Sequence, residues 1–177
     1  MRRVMSAEDL ERVTKRIAHE IVERNQGIAD VLIVGIPTRG KPFADRIAKA
    51  LSEIEGSEVV AGSLDIGMYR DDLDTRPRTR IGPTNMPENI DGKTVVVADD
   101  VLYTGRTIRA GLDALADLGR PGAVQLAVLI DRGHRQLPIR ADFVGKNIPT
   151  AESERVSVRF NEIDGEEGVW IDQGGAE

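Results

Sequence analysis

Short apolar runs alternate with amphipathic helical patterns along this chain, and this alternation restricts the fold more than any other feature. Residues 31–36 form a continuous run rich in β-branched side chains, typical of a strand covered on both faces. Similar runs occupy residues 94–98 and 123–130, and stripes of apolar residues at helical spacing separate them. The chain is therefore predicted to be α/β, with a central parallel sheet flanked by helices.

Several element boundaries can also be predicted. Ser6 is expected to cap a first helix, which should end near Asn25, because its side chain can accept a bond from the first turn. A second helix should follow Gly40, and a third should end at Gly119, a residue type common just after helices. Residues 59–68 alternate in part and are predicted to be a strand. Short strands near residues 142–145, 156–160 and 169–171 should close the chain.

Composition narrows the class of protein. The 177 residues suit one domain, predicted over residues 1–177, and no apolar run reaches the roughly 18 residues that a membrane span requires. Because cysteine is absent, disulfides and thiolate chemistry are excluded. The basic N-terminus is not followed by the apolar stretch of a secretory signal. A cytoplasmic location without membrane association is therefore expected.

The charge of the chain is unevenly distributed. Residues 151–177 contain eight acids and two bases, which accounts for the whole formal net charge of -6. The acidic total therefore describes the C-terminal segment and does not exclude a nucleic-acid partner. Basic side chains gather at residues 131–147, where a local basic face remains possible.

Residues 94–107 (TVVVADDVLYTGRT) combine the features of a site for a phosphorylated sugar. A buried strand leads into Asp99 and Asp100, whose carboxylates suit ribose hydroxyls or Mg²⁺ and its waters. Thr104 and Gly105 follow in a turn at the start of a helix, where backbone N–H groups and the helix dipole favour an anion.

Two further features belong to the predicted site. Ligands of parallel α/β sheets bind beyond the carboxyl ends of the strands, where the loops 36–40, 99–107 and 131–136 are all expected. The polar stretch 69–92 is longer than most structureless loops in compact domains, and such segments are often lids or binding loops. It is predicted to be a lid, with a hairpin that serves only subunit contacts as the alternative.

Residues 94–107 closely resemble the 5-phosphoribosyl-1-pyrophosphate (PRPP) signature of type I phosphoribosyltransferases. Over roughly residues 5–171 the chain resembles the PyrR family, bacterial regulators of pyrimidine biosynthesis that are also uracil phosphoribosyltransferases. The most family-specific segment is 135–150 (RQLPIRADFVGKNIPT). The resemblance implies a type I phosphoribosyltransferase fold with a small hood and a flexible lid loop. The chain departs from the family pattern at Gly67, Met68, Ala98 and Gln136.

The resemblance also implies an activity and its residues: PRPP and uracil would give UMP and pyrophosphate, with Mg²⁺ as cofactor. Asp99 and Asp100 would hold the ribose hydroxyls and the metal, although one of the two could serve only as a structural partner. Tyr69 and Arg70 would lie near the lid hinge. The 5′-phosphate would bind at Tyr103, Thr104, Gly105, Arg106 and Thr107. Pyrophosphate would bind at Thr38, Arg39 and Gly40, and uracil near residues 131–137, with Arg132 and His134 beside it.

A regulatory role is implied by the same resemblance, namely binding of the pyrimidine operon leader mRNA, promoted by uridine nucleotides such as UMP and UTP. The candidate RNA-binding residues are Lys15, Arg16, His19, Arg135, Arg140 and Lys146. Without the family, a helix with mixed charges is more typical of a solvated face. Family members form homodimers and homotetramers, so one of these assemblies is expected.

Two other functions are compatible with the residues. One is a plain phosphoribosyltransferase for another nucleobase, such as a purine salvage enzyme. The other is an RNA-binding regulator whose catalysis is vestigial. The match at residues 131–150 favours a pyrimidine over the purine alternative.

Overall fold

A computed structural model of the chain describes residues 1–72 and 84–174. Its elements in chain order are β1 (Arg2–Met5), α1 (Ala7–Asn25), β2 (Val31–Gly35), α2 (Gly40–Glu55), β3 (Gly62–Ser63), β4 (Thr94–Leu102), α3 (Arg106–Leu118), β5 (Ala123–Asp131), β6 (Phe143–Asn147), β7 (Glu154–Arg159), α4 (Asn161–Asp164) and β8 (Gly168–Gln173).

The strands of the described residues form two sheets. The larger one is parallel, with strand order β3-β2-β4-β5-β6. The smaller one is antiparallel, with order β1-β8-β7, and together with α4 it is called the hood below. The predicted α/β class, with a central parallel sheet flanked by helices, is confirmed.

The helix ends follow from local chemistry. Ser6 and Asp9 form a capping box at the start of α1: the Asp9 N–H donates to the Ser6 hydroxyl (3.2 Å), and the Ser6 N–H donates to the Asp9 carboxylate (2.9 Å). At the end of α3, the Gly119 N–H donates to the Leu115 carbonyl (3.2 Å). Both predicted boundaries are confirmed.

The parallel sheet is covered on both faces, as its continuous apolar strands require. Ile33 and Val96 face a core shared with α1, α2 and the hood. Their chain neighbours Val34 and Val97 face a second core against α3. Successive side chains of a strand point to opposite faces, so each strand contributes to both cores. The hood packs into the first core through residues such as Phe160, and thereby lies against α2.

The prediction of a strand over residues 59–68 is wrong in extent. Only Gly62–Ser63 pairs with β2, and Gly67–Tyr69 forms a single 3-10 turn. A Cβ on Gly62 would lie 2.4 Å from the carbonyl oxygen of Asn85, so that chain crosses directly over it. The Asp65 carboxylate then accepts from the Gly67 N–H (2.8 Å), which turns the backbone out of the sheet.

Two elements were not predicted. β1 pairs with β8 from the far end of the chain, so no local pattern indicates it. α4 has only four residues, too short for a helical period. Within the described residues no helix is both long and apolar enough to cross a membrane. Residues 73–83 of the predicted lid lie outside the part of the chain that the structure describes.

Candidate active site

The three predicted loops lie together at the carboxyl end of the parallel sheet. The Ile36 N–H donates to the Ala98 carbonyl (3.0 Å), which joins the loop after β2 to β4. On the other side, the Arg132 N–H donates to the Leu102 carbonyl (3.1 Å), which joins β4 to the loop after β5. The Thr104 carbonyl accepts from two N–H groups of that same loop. The β4 loop therefore forms the centre of the site.

Gly40 permits this convergence. A Cβ at position 40 would lie 2.6 Å from the Ala98 carbonyl oxygen and 3.2 Å from the Asp99 carboxylate. Any larger residue would therefore push the start of α2 away from the acids of β4. The neighbouring Pro37–Thr38 peptide bond is cis.

The two acids occupy the end of β4. The Asp99 residue is only 6% exposed, and Asp100 is partly buried. Burial, followed by the neighbouring Asp100 carboxylate, raises the pKa of Asp99 well above its ordinary value. Burial also raises the pKa of Asp100, although the Arg39 cation opposes that shift. The site therefore concentrates negative charge in a dry environment, as a site for a cation or for hydroxyl groups would.

Two arginines from different loops act on the acid pair. Arg39, in the loop before α2, opposes the rise that burial causes in the pKa of Asp100, and Arg70, beyond the 3-10 turn, opposes the rise in the pKa of Asp99. Arg70 also pairs with Asp72 (2.9 Å). The Tyr69 hydroxyl instead donates to Asp117 on α3. The predicted hinge residues thus separate: Arg70 lies toward the acids, whereas Tyr69 anchors the hinge to α3.

The predicted phosphate turn has the expected geometry. Gly105 is the N-cap of α3 with φ +92°, a conformation that favours glycine, and the Arg106 N–H donates to the Thr104 hydroxyl (3.3 Å). The Arg106 side chain bridges two other loops. Its guanidinium donates to Asp71 at the start of the lid (2.7 Å) and to Gln136 in the loop after β5 (2.9 Å). Tyr103 is 37% exposed, and Thr107 lies in the first turn of α3.

The loop after β5 is held by residues near 150. Arg132 is buried, donates to the Thr150 hydroxyl and the Ala151 carbonyl (both 3.0 Å), and stacks on the Tyr103 ring at 4.1 Å. His134, with φ +65°, places Nε2 2.5 Å from the Thr150 carbonyl, and its ring meets Tyr103 edge-on. Tyr103, Arg132 and His134 therefore form one packed wall beside the phosphate turn.

The predicted RNA-binding residues fall into separate places. Lys15, Arg16 and His19 are exposed on α1, where Arg16 donates to the Gly145 carbonyl of β6 (2.6 Å). Lys146 on β6 donates to the Val4 carbonyl (3.3 Å), so it lies at the same outer surface. Arg140 is exposed near the start of β6.

Arg135 differs from these five. It donates to the Tyr103 carbonyl (2.8 Å) and the Ile139 carbonyl (2.9 Å), and it pairs with Asp131. Its contacts therefore lie within the loops of the active site.

Sequence reasoning did not identify Asp164, which pairs with Arg39 across the site (2.6 Å). It comes from α4 in the hood, 125 residues away in the chain. No spacing or motif could have indicated this contact, because it depends on how the hood packs on α2.

The fold and this arrangement of loops define a type I phosphoribosyltransferase, and the family model described as phosphoribosyl transferase domain matches residues 4–161. Within that class the chain belongs to the PyrR family. The protein named bifunctional protein PyrR from Chloroflexus aurantiacus is 59% identical over 176 residues, covering 99% of this chain and 97% of the relative. The protein of the same name from Thermus thermophilus is 57% identical over 94% of this chain and 92% of the relative.

Solved structures share the fold at much lower identity. The hypoxanthine phosphoribosyltransferase of Trypanosoma cruzi superposes with a TM-score of 0.74 at 18% identity, covering 98% of this chain and 97% of that one. A hypoxanthine-guanine phosphoribosyltransferase from Bacillus anthracis gives a TM-score of 0.66 at 20% identity, over 84% and 85% of the two chains. At these identities the likeness shows the fold and nothing about the nucleobase.

Proposed function

We propose that this protein transfers the phosphoribosyl group of PRPP to uracil, giving UMP and pyrophosphate, and that it also binds the leader mRNA of a pyrimidine operon. The observation that carries the enzymatic half is the arrangement around β4. The buried Asp99 and the partly buried Asp100 are followed in the same segment by a glycine-capped helix start, and both lie between two other loops at one sheet edge. Phosphate sites beside paired acceptors suit a phosphorylated sugar.

The acid pair fits Mg²⁺ bound together with substrate. No cluster of three or more candidate ligand side chains occurs among the described residues, so the chain by itself offers two neighbouring carboxylates. Mg²⁺ is commonly held by one or two carboxylates plus substrate oxygens and waters. Asp99 and Asp100 would hold it, and it would supply positive charge for the leaving pyrophosphate.

Each loop then has one task. The backbone of Thr38 to Gly40 receives the pyrophosphate, and the turn Tyr103 to Thr107 receives the 5′-phosphate. Bond breaking at the anomeric carbon passes through an oxocarbenium-like state, as in other glycosyl transfers. The protein lowers this barrier mainly by stabilising the leaving charge and excluding water, so no strong base is required. Arg70 at the lid hinge brings a further cation toward Asp99.

Uracil is proposed to lie against the wall of Tyr103, Arg132 and His134. The side chains of Arg132 and His134 are already bonded to residues 150 and 151. They are therefore suited to shaping the pocket, while backbone groups of residues 131–137 recognise the base. Arg135 stabilises the same loop through its bonds to two backbone carbonyls.

The enzymatic proposal is tested by incubating the protein with PRPP, Mg²⁺ and one nucleobase at a time, and measuring pyrophosphate release. Uracil should give the highest rate, and omission of Mg²⁺ should abolish release. Faster turnover of hypoxanthine or guanine would favour the purine salvage alternative. Omission of any base measures the background hydrolysis of PRPP.

The regulatory half rests on membership of the PyrR family and on an exposed surface. Lys15, Arg16 and His19 on α1 lie beside β6, which carries Lys146. Looped RNA is recognised largely through shape and phosphate contacts, which exposed cations can provide. UMP and UTP are proposed to favour the RNA-bound state.

We further propose that residues 1–177 form one domain, because the hood and the parallel sheet share a core. A cytoplasmic location and assembly into a homodimer or homotetramer are proposed from the family. Mass measurement in solution tests the assembly.

A further inference from the structure

The Asp164 side chain of the hood contacts Arg39 in the loop before α2, which belongs to the candidate active site. Asp164 lies in α4, and its Oδ1 accepts from the Arg39 Nη2 at 2.6 Å. Its other oxygen, Oδ2, accepts from the Phe160 N–H at 2.9 Å. The carboxylate is thus fixed at both oxygens, and the backbone of the hood determines its position.

The charge of Asp164 is maintained at neutral pH. Burial acts to raise the pKa of Asp164, but the hydrogen bonds from Arg39 and from the Phe160 N–H outweigh it, and the net shift is downward. An anion is therefore held permanently against one edge of the Arg39 guanidinium.

Arg39 lies in the loop that packs against the acid pair. A Cβ on its neighbour Gly40 would lie 3.2 Å from the carboxylate of Asp99, one of the two acids that would hold ribose and Mg²⁺. An arginine side chain is long and flexible, so without an anchor it would be stabilised by pairing with an acid of this pair. Such a pair would neutralise the acid that the substrate needs.

The contact with Asp164 leaves one N–H group of the Arg39 guanidinium without a hydrogen-bond partner among the described residues. Nε and Nη2 share one edge of a guanidinium, and Asp164 accepts only from Nη2 because its other oxygen is engaged by Phe160. The buried Nε–H has no hydrogen-bond partner among the described residues. A buried charged donor without a partner is costly, so the contact with Asp164 has to offset that cost to keep Arg39 in this orientation.

We propose that Asp164 is a positioning residue for PRPP binding: it holds Arg39 on the hood side, away from the acid pair, so that both acids stay open for ribose and Mg²⁺. This inference rests on the proposed function, since PRPP is the ligand concerned. It assigns to the hood a role in binding the substrate, through a residue that does not touch it.

The test measures PRPP affinity by titration calorimetry with Mg²⁺, beside KM and kcat for uracil transfer. Asp164→Asn keeps an acceptor for the Phe160 N–H but removes the charge that anchors Arg39. We expect PRPP affinity to fall about tenfold, the size of one charge-assisted hydrogen bond, with a matching rise in KM for PRPP and less than a twofold change in kcat. Asp164→Ser, which also keeps a short acceptor, should behave in the same way.

The matched control is Glu162→Gln. Glu162 lies on the same short helix and pairs with Arg46 of α2 (2.8 Å), so it joins the hood to α2 without reaching the Arg39 loop. PRPP affinity should stay within twofold of wild type in this variant. An equal loss in Glu162→Gln and Asp164→Asn would mean that the hood acts only by general stability, and would overturn the proposal.

A double-mutant cycle tests whether Asp164 affects PRPP binding through Arg39 or by another route. In an Arg39→Gln background, Asp164→Asn should weaken PRPP binding by less than twofold, because its target is gone. An undiminished tenfold loss in that background contradicts the proposal, as does wild-type affinity in the single variant. If the wild-type protein binds PRPP but transfers nothing to uracil, the proposed uracil transfer is refuted and the role of Asp164 is not. If it binds no PRPP, the proposed transfer and the role of Asp164 are both refuted.

Discussion

The acid pair at the end of β4 and the outer surface of α1 with β6 arrange their charges in opposite ways. Asp99 and Asp100 carry like charges side by side, and burial raises the pKa of each. On α1, the cations are exposed and lie beside partners of opposite charge or backbone carbonyls: Lys15 pairs with Glu11 (2.7 Å), and Arg16 bonds Glu20 and β6. The first arrangement disfavours the folded protein, whereas the second is close to neutral for stability.

This contrast between the buried acid pair and the exposed cations shows where the fold tolerates an unfavourable electrostatic interaction. Like charges in a dry site are retained only where surrounding structure holds them, and such sites commonly serve ligand binding. Exposed, internally paired cations can leave their partners at little cost and bind a polyanion instead. Four predictions test this contrast, in order of decreasing effect.

The largest effect is expected at the acid pair. Asp99→Asn with Asp100→Asn keeps the side-chain size but removes the charge that holds ribose and Mg²⁺. The rate of uracil transfer should fall about 100-fold or more, in line with the loss of transition-state electrostatics. Pyrophosphate release is measured after circular dichroism has confirmed the fold. A folded double variant with near-normal activity would refute the site assignment.

The second effect concerns RNA. Arg140→Gln with Lys146→Gln should weaken binding to a pyrimidine-operon leader hairpin, while uracil transfer continues. Each lost phosphate contact should flatten the slope of log affinity against log salt by about 0.7–0.9. Gel-shift titrations at several salt concentrations measure this slope, and added UMP should tighten wild-type binding.

The matched control for RNA removes two cations from the edge where the strands begin, Lys93→Gln with Arg120→Gln. It should leave the salt slope unchanged. If wild-type protein binds the hairpin no better than random RNA, the regulatory half is wrong. If the Arg140 and Lys146 variant loses catalysis as well, these two residues have a structural role.

The third effect is a gain in stability. The pKa of Asp99 is raised in the folded state, so folding costs free energy at pH values where the carboxylate is charged in both states. Asp99→Asn should therefore raise the unfolding free energy at pH 7 by roughly 1–2 kcal/mol. As the pH falls, the folded wild-type protein takes up a proton first, and the advantage of the variant should shrink.

Thermal unfolding of both proteins between about pH 7 and pH 4.5 measures this change. Asp45→Asn serves as the control, since Asp45 is an exposed acid paired with Lys41. If Asp99→Asn is less stable than wild type at pH 7, the charge of Asp99 does not destabilise the folded protein.

The smallest effect is expected on the surface. Lys15→Gln removes one member of an exposed pair on α1, and its melting temperature should not differ measurably from wild type. Its RNA affinity at low salt should nevertheless fall if this surface binds phosphate. A clear loss of melting temperature without any change in RNA affinity would indicate that Lys15 is structural.

Local sequence patterns determined much of this protein. The apolar runs predict β2, β4 and β5, because a parallel strand that is covered on both faces needs apolar side chains at nearly every position. Asp99, Asp100 and the turn at Gly105 lie within one continuous segment, so their chemistry could be predicted from residue types and order. The prediction of a strand over residues 59–68 is wrong in extent. Partial alternation of apolar residues carries no information on the segment at Asn85 that crosses over Gly62.

The tertiary structure alone decided the contacts between distant segments. β1 pairs with β8 across the length of the chain, and Arg39 pairs with Asp164 because the hood packs on α2. No local periodicity encodes either contact. The same holds for Arg106, whose guanidinium joins the lid base to the loop after β5. Residue type and spacing fix which chemistry a segment can perform, whereas the partner of each charge depends on which surfaces the hydrophobic cores bring together.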